Sequence, residues 1–201
     1  MTPPTVDATT PDSPVGVYGT DHVTVEGTDV EGTIEFYRDV LGLALVLRQP
    51  NLDRSDLTHL FFDVGDGRLL TVFVSEERDP ADLPDPQPGQ VHHLAFRIDG
   101  DRIPEIAAGL EERGHPVSEY DRGAFHSLYT EDHNGLVIEL VAEKFDVPDD
   151  RRGEVLALAH GERITDGSEF VRAEHVRTAV EELGIDAEEH DVGGAPTGRD
   201  V

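Results

Sequence analysis

A chain of 201 residues suits one domain of common size or two small fused halves, and one shared core is the simpler reading. Acidic residues outnumber basic ones 43 to 16, a formal charge of -27, which disfavours nucleic acid and anionic membranes as partners. The absence of cysteine excludes disulfides, zinc-thiolate sites and cysteine nucleophiles. No apolar run approaches a membrane span, the longest being Leu43 to Leu47, and the N-terminus lacks a basic start and an apolar signal segment. A cytoplasmic enzyme or binding protein is the expectation. Apolar residues recur at strand and helix periods through most of the chain, so the charge reads as an acidic coat on a folded domain.

Residues 1 to 16 hold Pro, Thr, Asp and Ser with little to bury and read as a disordered tail, so the fold is expected to begin near Val17. Asp21 to Glu26 alternates as a strand, Asp29 to Leu41 reads as a helix closed by Gly42, and Leu43 to Gln49 as a second strand. Leu57 to Val64 and Arg68 to Ser75 follow as strands joined by the turn Gly65-Asp66-Gly67. The proline-rich stretch that follows, 77–90, reads as a linker. After it the order restarts. Val91 to Ile98 is a strand, Pro104 to Arg113 a helix closed by Gly114, and His115 to Tyr120 a strand. Phe125 to Thr130 and Leu136 to Ala142 then form a hairpin across Asn134-Gly135, read as a two-residue turn.

The copies share spelling at matching places, with His22-Val-Thr-Val beside His93-Leu-Ala-Phe and His59-x-x-Phe62 beside His126-x-x-Tyr129. The expected class is therefore α+β, with two tandem βαβββ modules (17–76 and 91–143) forming a cupped mixed sheet. A C-terminal extension, 144–186, carries one helix between Glu169 and Leu183, whose apolar face has two destinations, the core or a second subunit in a homodimer. A disordered tail is expected from Ala187.

Chemistry-bearing residues gather at equivalent repeat positions. His22 opens the first strand of copy one, His93 the first strand of copy two, and Glu139 lies in the last strand of copy two. A carboxylate amid Val-Ile-Glu-Leu-Val is costly to bury without a cation or a donor. Each residue alone has a structural reading, a hydrogen-bonded strand histidine or a solvated carboxylate. Together they make a metal-ligand set, and imidazole plus carboxylate without thiolate suits iron(II) or manganese(II). Almost no lysine beneath an acidic coat, Lys144 being the one in the chain, suggests adaptation to high salt.

The segments Asp21-His22-Val23-Thr24, Glu35 to Leu43, Val91 to Phe96 and Ser127 to Glu139 resemble the vicinal-oxygen-chelate superfamily of glyoxalases, bleomycin-binding proteins and extradiol ring-cleaving dioxygenases. The hydroquinone-cleaving members are most similar. That resemblance implies a dioxygenase with His22, His93 and Glu139 on Fe(II) or Mn(II), acting on a small dihydroxylated aromatic and dioxygen. It implies catalytic roles for Tyr129, Arg122 and His92 and a substrate-side role for Thr24. Asp21 stands where those relatives often carry His, and they are longer, with four modules. His126, His59 and His133 read as structural or pocket-lining, with His126 the one kept as a substrate-binding candidate. A non-catalytic small-molecule binding protein and a glyoxalase-like lyase or isomerase are the alternatives, and Val72, aligned with Glu139, leaves the glyoxalase set without its fourth ligand.

Overall fold

The computed structural model of the chain describes residues 6–80, 86–190 and 192. The first module runs β1 (His22–Gly27), α1 (Val30–Ile34), β2 (Ala44–Pro50), β3 (Thr58–Asp63) and β4 (Leu69–Val74). Asp29 caps α1 by accepting the Glu31 N–H at 3.0 Å. The expected single helix widens after Ile34 into π-helical turns over Glu35–Val40 and ends before Gly42, whose φ of 81° is the left-handed exit glycine tolerates. Strand order is β1-β4-β3-β2. β1 and β4 are parallel, with His22 opposite Leu69 and Thr24 opposite Thr71, while β3 is antiparallel to both its neighbours. One face of this sheet, with Leu60, Phe62, Leu70, Val72 and Val74, is buried, as are Val30, Ile34, Phe36 and Tyr37 of the helix. Tyr37 is fully buried and donates its hydroxyl to Asp132 at 3.0 Å. Burial first, and the Asp132 charge second, push that phenol well above its ordinary range and keep it a donor.

The second module repeats the plan with β5 (His93–Arg97), a 3-10 turn over Gly100–Arg102, α2 (Ile103–Glu112), β6 (Ser118–Asp121), β7 (Phe125–Glu131) and β8 (Val137–Glu143). Its strand order, β5-β8-β7-β6, is the same permutation as in the first, which is the repeat visible in the sequence. The β7–β8 connection is longer than the expected two-residue turn. Asp132 accepts the N–H groups of Asn134 and Leu136 through one carboxylate oxygen, and Gly135 takes φ 83°.

Two helices follow, α3 (Arg152–Asp166) and α4 (Ala173–Glu182), where one was expected. They enclose a cluster of Phe145, Val155, Ala159, Val176, Ala179 and Val180 that also takes in Ala124 from the β6–β7 turn. So α4 packs on a core of its own chain. The expected tail beginning at Ala187 is corrected for its described part, because Glu189 bridges to Phe145, His190 N–H donates to the Lys144 carbonyl, and Val192 is buried. Residues 191 and 193–201 lie outside the described residues, as do 1–5 of the expected N-terminal tail and 81–85 of the expected linker. Residues 6–16 carry no helix or strand and are exposed.

The chain divides into two compact units, one of Pro14–Leu94 with Glu131–Ile138, the other of Met1–Ser13, Ala95–Thr130 and Glu139–Val201. No helix among the described residues is long and apolar enough to cross a membrane.

Basic residues are largely spent on near neighbours, as in Arg38–Asp39, Arg54–Asp56, Arg102–Glu105 and Arg151–Glu154. With 43 acids against 16 bases most carboxylates have no cation to meet, so self-repulsion opposes folding at low ionic strength. Thermal melts should show a midpoint that climbs steeply up to roughly 0.1 M salt, where the Debye length is about 10 Å, and more slowly beyond it. A midpoint indifferent to salt would remove the high-salt adaptation read from composition.

Candidate functional site

Alternation along β7 sends Phe125, Ser127 and Tyr129 to one face and His126, Leu128 and Thr130 to the other. In β8 the same rule groups Glu139 with Val137 and Val141, away from buried Ile138, Leu140 and Ala142. Glu139 Oε1 accepts two hydrogen bonds, from Ser127 Oγ at 2.6 Å and from Tyr129 OH at 2.9 Å. The β6–β7 register sets Tyr120 opposite Ser127, and its ring meets the Tyr129 ring edge-on with centroids 5.6 Å apart. The Arg122 guanidinium lies over both rings, 4.5 Å from Tyr120 and 5.4 Å from Tyr129. Burial and the bond to Glu139 raise the Tyr129 phenol above its ordinary range against the opposing pull of Arg122, so it is a neutral O–H donor at neutral pH. Tyr129, Arg122 and Glu139, singled out in the sequence, thus form one network, and Ser127 and Tyr120 join it unanticipated. The signal for Ser127 was its place two residues before Tyr129 on the same strand face.

His126 does not join them. It is 1% exposed, on the opposite face of β7, and its Nε2 meets Glu119 Oε1 at 2.6 Å. That is a satisfied core histidine, and the geometry gives no support to its substrate-binding reading.

In the other unit each candidate histidine is held through Nδ1 by the residue before it. His22 Nδ1 meets Asp21 Oδ1 at 2.6 Å, and an ionised carboxylate only accepts, so His22 donates from Nδ1 and carries its lone pair on Nε2. His93 Nδ1 lies 2.9 Å from His92 Nδ1 with the rings nearly perpendicular. One proton serves that contact, and with it on His93 the Nε2 lone pair is again the one presented. Thr24 Oγ1 and Thr71 Oγ1 are 2.7 Å apart across the β1–β4 pair. His59 packs between Phe61 and Phe73, its Nε2 buried without a hydrogen-bond partner, and its pKa is lowered by burial and by His22. As donor chemistry, two imidazoles fixed in the Nε2-ligating tautomer and one carboxylate suit a borderline divalent ion. Among the described residues, however, no three His, Asp or Glu side chains stand close enough together to hold one.

No curated protein matches the chain. Solved structures do. A candidate dioxygenase from Bacillus subtilis is 26% identical with a TM-score of 0.55, over 62% of this chain and 40% of that one, so the chain spans well under half of that relative's length. A glyoxalase family protein from Enterococcus faecalis is 24% identical with a TM-score of 0.50, over 61% of this chain and 96% of that one. The fosfomycin resistance protein of Listeria monocytogenes is 18% identical with a TM-score of 0.50, over 63% of this chain and 94% of that one, a likeness of fold. The family profile described as Glyoxalase/Bleomycin resistance protein/Dioxygenase superfamily matches residues 19–140, which contain both modules up to Glu139, and the chain belongs to that superfamily.

Proposed function

We propose that the protein is a metal-dependent ring-cleaving dioxygenase of dihydroxylated aromatics, hydroquinone-like or catechol-like, with His22, His93 and Glu139 as ligands to iron(II) or manganese(II). The observation that carries the reading is the Arg122–Tyr129–Glu139 network, in which one carboxylate is joined to a neutral phenol beneath a guanidinium. A bound ion would supply Lewis acidity and a path for electrons between ring and oxygen. The protein's own groups do the rest. Ser127 and Tyr129 aim Glu139 through a shared oxygen. Tyr129 holds a proton it can deliver to oxygen as charge develops, and Arg122 offsets an ionised substrate hydroxyl. Asp21 and His92 orient the two imidazoles. Thr24, on the same face of β1 as His22, presents a hydroxyl tied to Thr71.

A glyoxalase-like reaction draws on a fourth protein ligand from β4. The burial pattern corrects the alignment used for it, since Val72 lies with Leu70 and Val74 on the buried face and the residue matching Glu139 is Thr71. Thr71 is a hydroxyl engaged with Thr24, so the fourth carboxylate or imidazole is still wanting. A small-molecule binding protein remains the reading of another class. Oxygen-electrode assays on hydroquinone and catechol after iron(II) reconstitution separate the two. Turnover in wild type with Arg122→Met raising KM by roughly a hundredfold supports the enzyme, whereas tight binding of aromatics without oxygen uptake assigns the binding protein.

A further inference from the structure

The superfamily match ends at residue 140, and the extension beyond it has no role in the reading above. Its contacts converge on the three-residue turn, Arg122-Gly123-Ala124, that carries the guanidinium. Gly123 has φ 80°, and a Cβ there would overlap the Val171 carbonyl oxygen from the segment between α3 and α4. Ala124 is 6% exposed inside the extension's apolar cluster. On the third side Gly123 N–H donates to Asp121 Oδ1 at 2.7 Å, and the same oxygen takes Lys144 Nζ at 2.7 Å. Lys144 is the chain's lone lysine, and its side chain is 13% exposed. The turn closes on itself through Arg122 N–H to the Phe125 carbonyl at 2.8 Å and Ala124 N–H to the Arg122 carbonyl at 3.1 Å.

We infer that the C-terminal extension is a positioning device for Arg122, with Lys144 and the Gly123–Val171 approach clamping the turn so that the guanidinium stays over Tyr120 and Tyr129. The inference rests on the substrate-side role given to Arg122 above. A surface lysine pairing with a half-exposed aspartate contributes little stability by itself, yet here it fixes the oxygen that holds Gly123 in place. Displacing a charge that binds substrate by about an ångström costs up to roughly a hundredfold. The extension thereby ties substrate recognition to a part of the chain that the superfamily profile does not include.

The test uses the full-length protein and four variants, Lys144→Met, Lys144→Arg, Gly123→Ala and, as control, Gly161→Ala in α3, where a Cβ meets nothing within 4 Å. Thermal melts first establish which variants fold, and Lys144→Met carries the test if Gly123→Ala does not. The Arg122 Nε–Hε resonance of metal-free protein, assigned by its loss in Arg122→Met, should move in Lys144→Met, return in Lys144→Arg and stay put in Gly161→Ala. With catechol or hydroquinone, Lys144→Met should raise KM by roughly tenfold, keep kcat within about twofold, and add nothing to Arg122→Met, because residues acting through one another are not additive. An unmoved resonance, or effects of Lys144→Met and Arg122→Met that simply add, overturns the inference. If wild type turns over no dihydroxybenzene, the proposed reaction fails and the resonance alone decides whether the clamp exists.

Discussion

His93→Ala should bring bound iron or manganese to background in protein purified and reconstituted without oxygen, where wild type should carry about one ion per chain. A set of three protein ligands has no spare donor. Changes to groups that merely support ligands lower metal affinity by roughly ten- to a hundredfold, so removal of a ligating imidazole should exceed that. The comparison that gives the result meaning is His126→Ala. His126 is more deeply buried and bonded to Glu119 on the far face of β7, so its loss should lower the melting temperature and leave the metal content unchanged. Metal analysis of both variants with melts alongside decides the matter. Unchanged metal in His93→Ala excludes that residue as a ligand, and equal loss in both variants would trace the effect to damaged folding.

Much of the fold was legible because its signals are local. Period-two alternation and Gly-bounded turns gave all eight strands in order, and the doubled His-x-Thr/Ala spelling announced the repeat that reappears as two sheets of one strand permutation. What escaped depends on long-range contacts. α3 buries only Val155 and Ala159 among its fifteen residues, a stripe too thin to stand out against its charges. The order of residues 187–190 comes from backbone pairing with 144–146, which composition does not encode. The π-helical turns after Ile34 likewise have the side-chain spacing of an ordinary helix in the sequence. At the site, spacing found Tyr129, Arg122 and Glu139, but Ser127 looked like one more small strand residue until the hairpin register set it against Glu139. The matching error at Val72, one position off, is the fault expected of a strand aligned without its buried face, since a shift of one residue exchanges the faces.

Tyr129→Phe should leave fold and metal content intact and slow oxygen uptake with a dihydroxybenzene by roughly a hundredfold or more, the usual consequence of deleting a positioned proton donor. The substitution is narrow. The ring keeps its edge-on contact with Tyr120 and its place beneath Arg122, and Glu139 Oε1 still accepts from Ser127, so no buried carboxylate is stranded. Ser127→Ala makes the reciprocal change, removing the donor that is fully buried while keeping the phenol. If Tyr129 only helps to aim Glu139, the two variants should resemble one another in metal affinity and in rate. If its proton takes part in the reaction, Tyr129→Phe should depress kcat far more than Ser127→Ala at equal metal content. Side-by-side oxygen-electrode and metal analyses of the two variants distinguish these cases, and a Tyr129→Phe protein with wild-type kcat would strip the phenol of its assigned role.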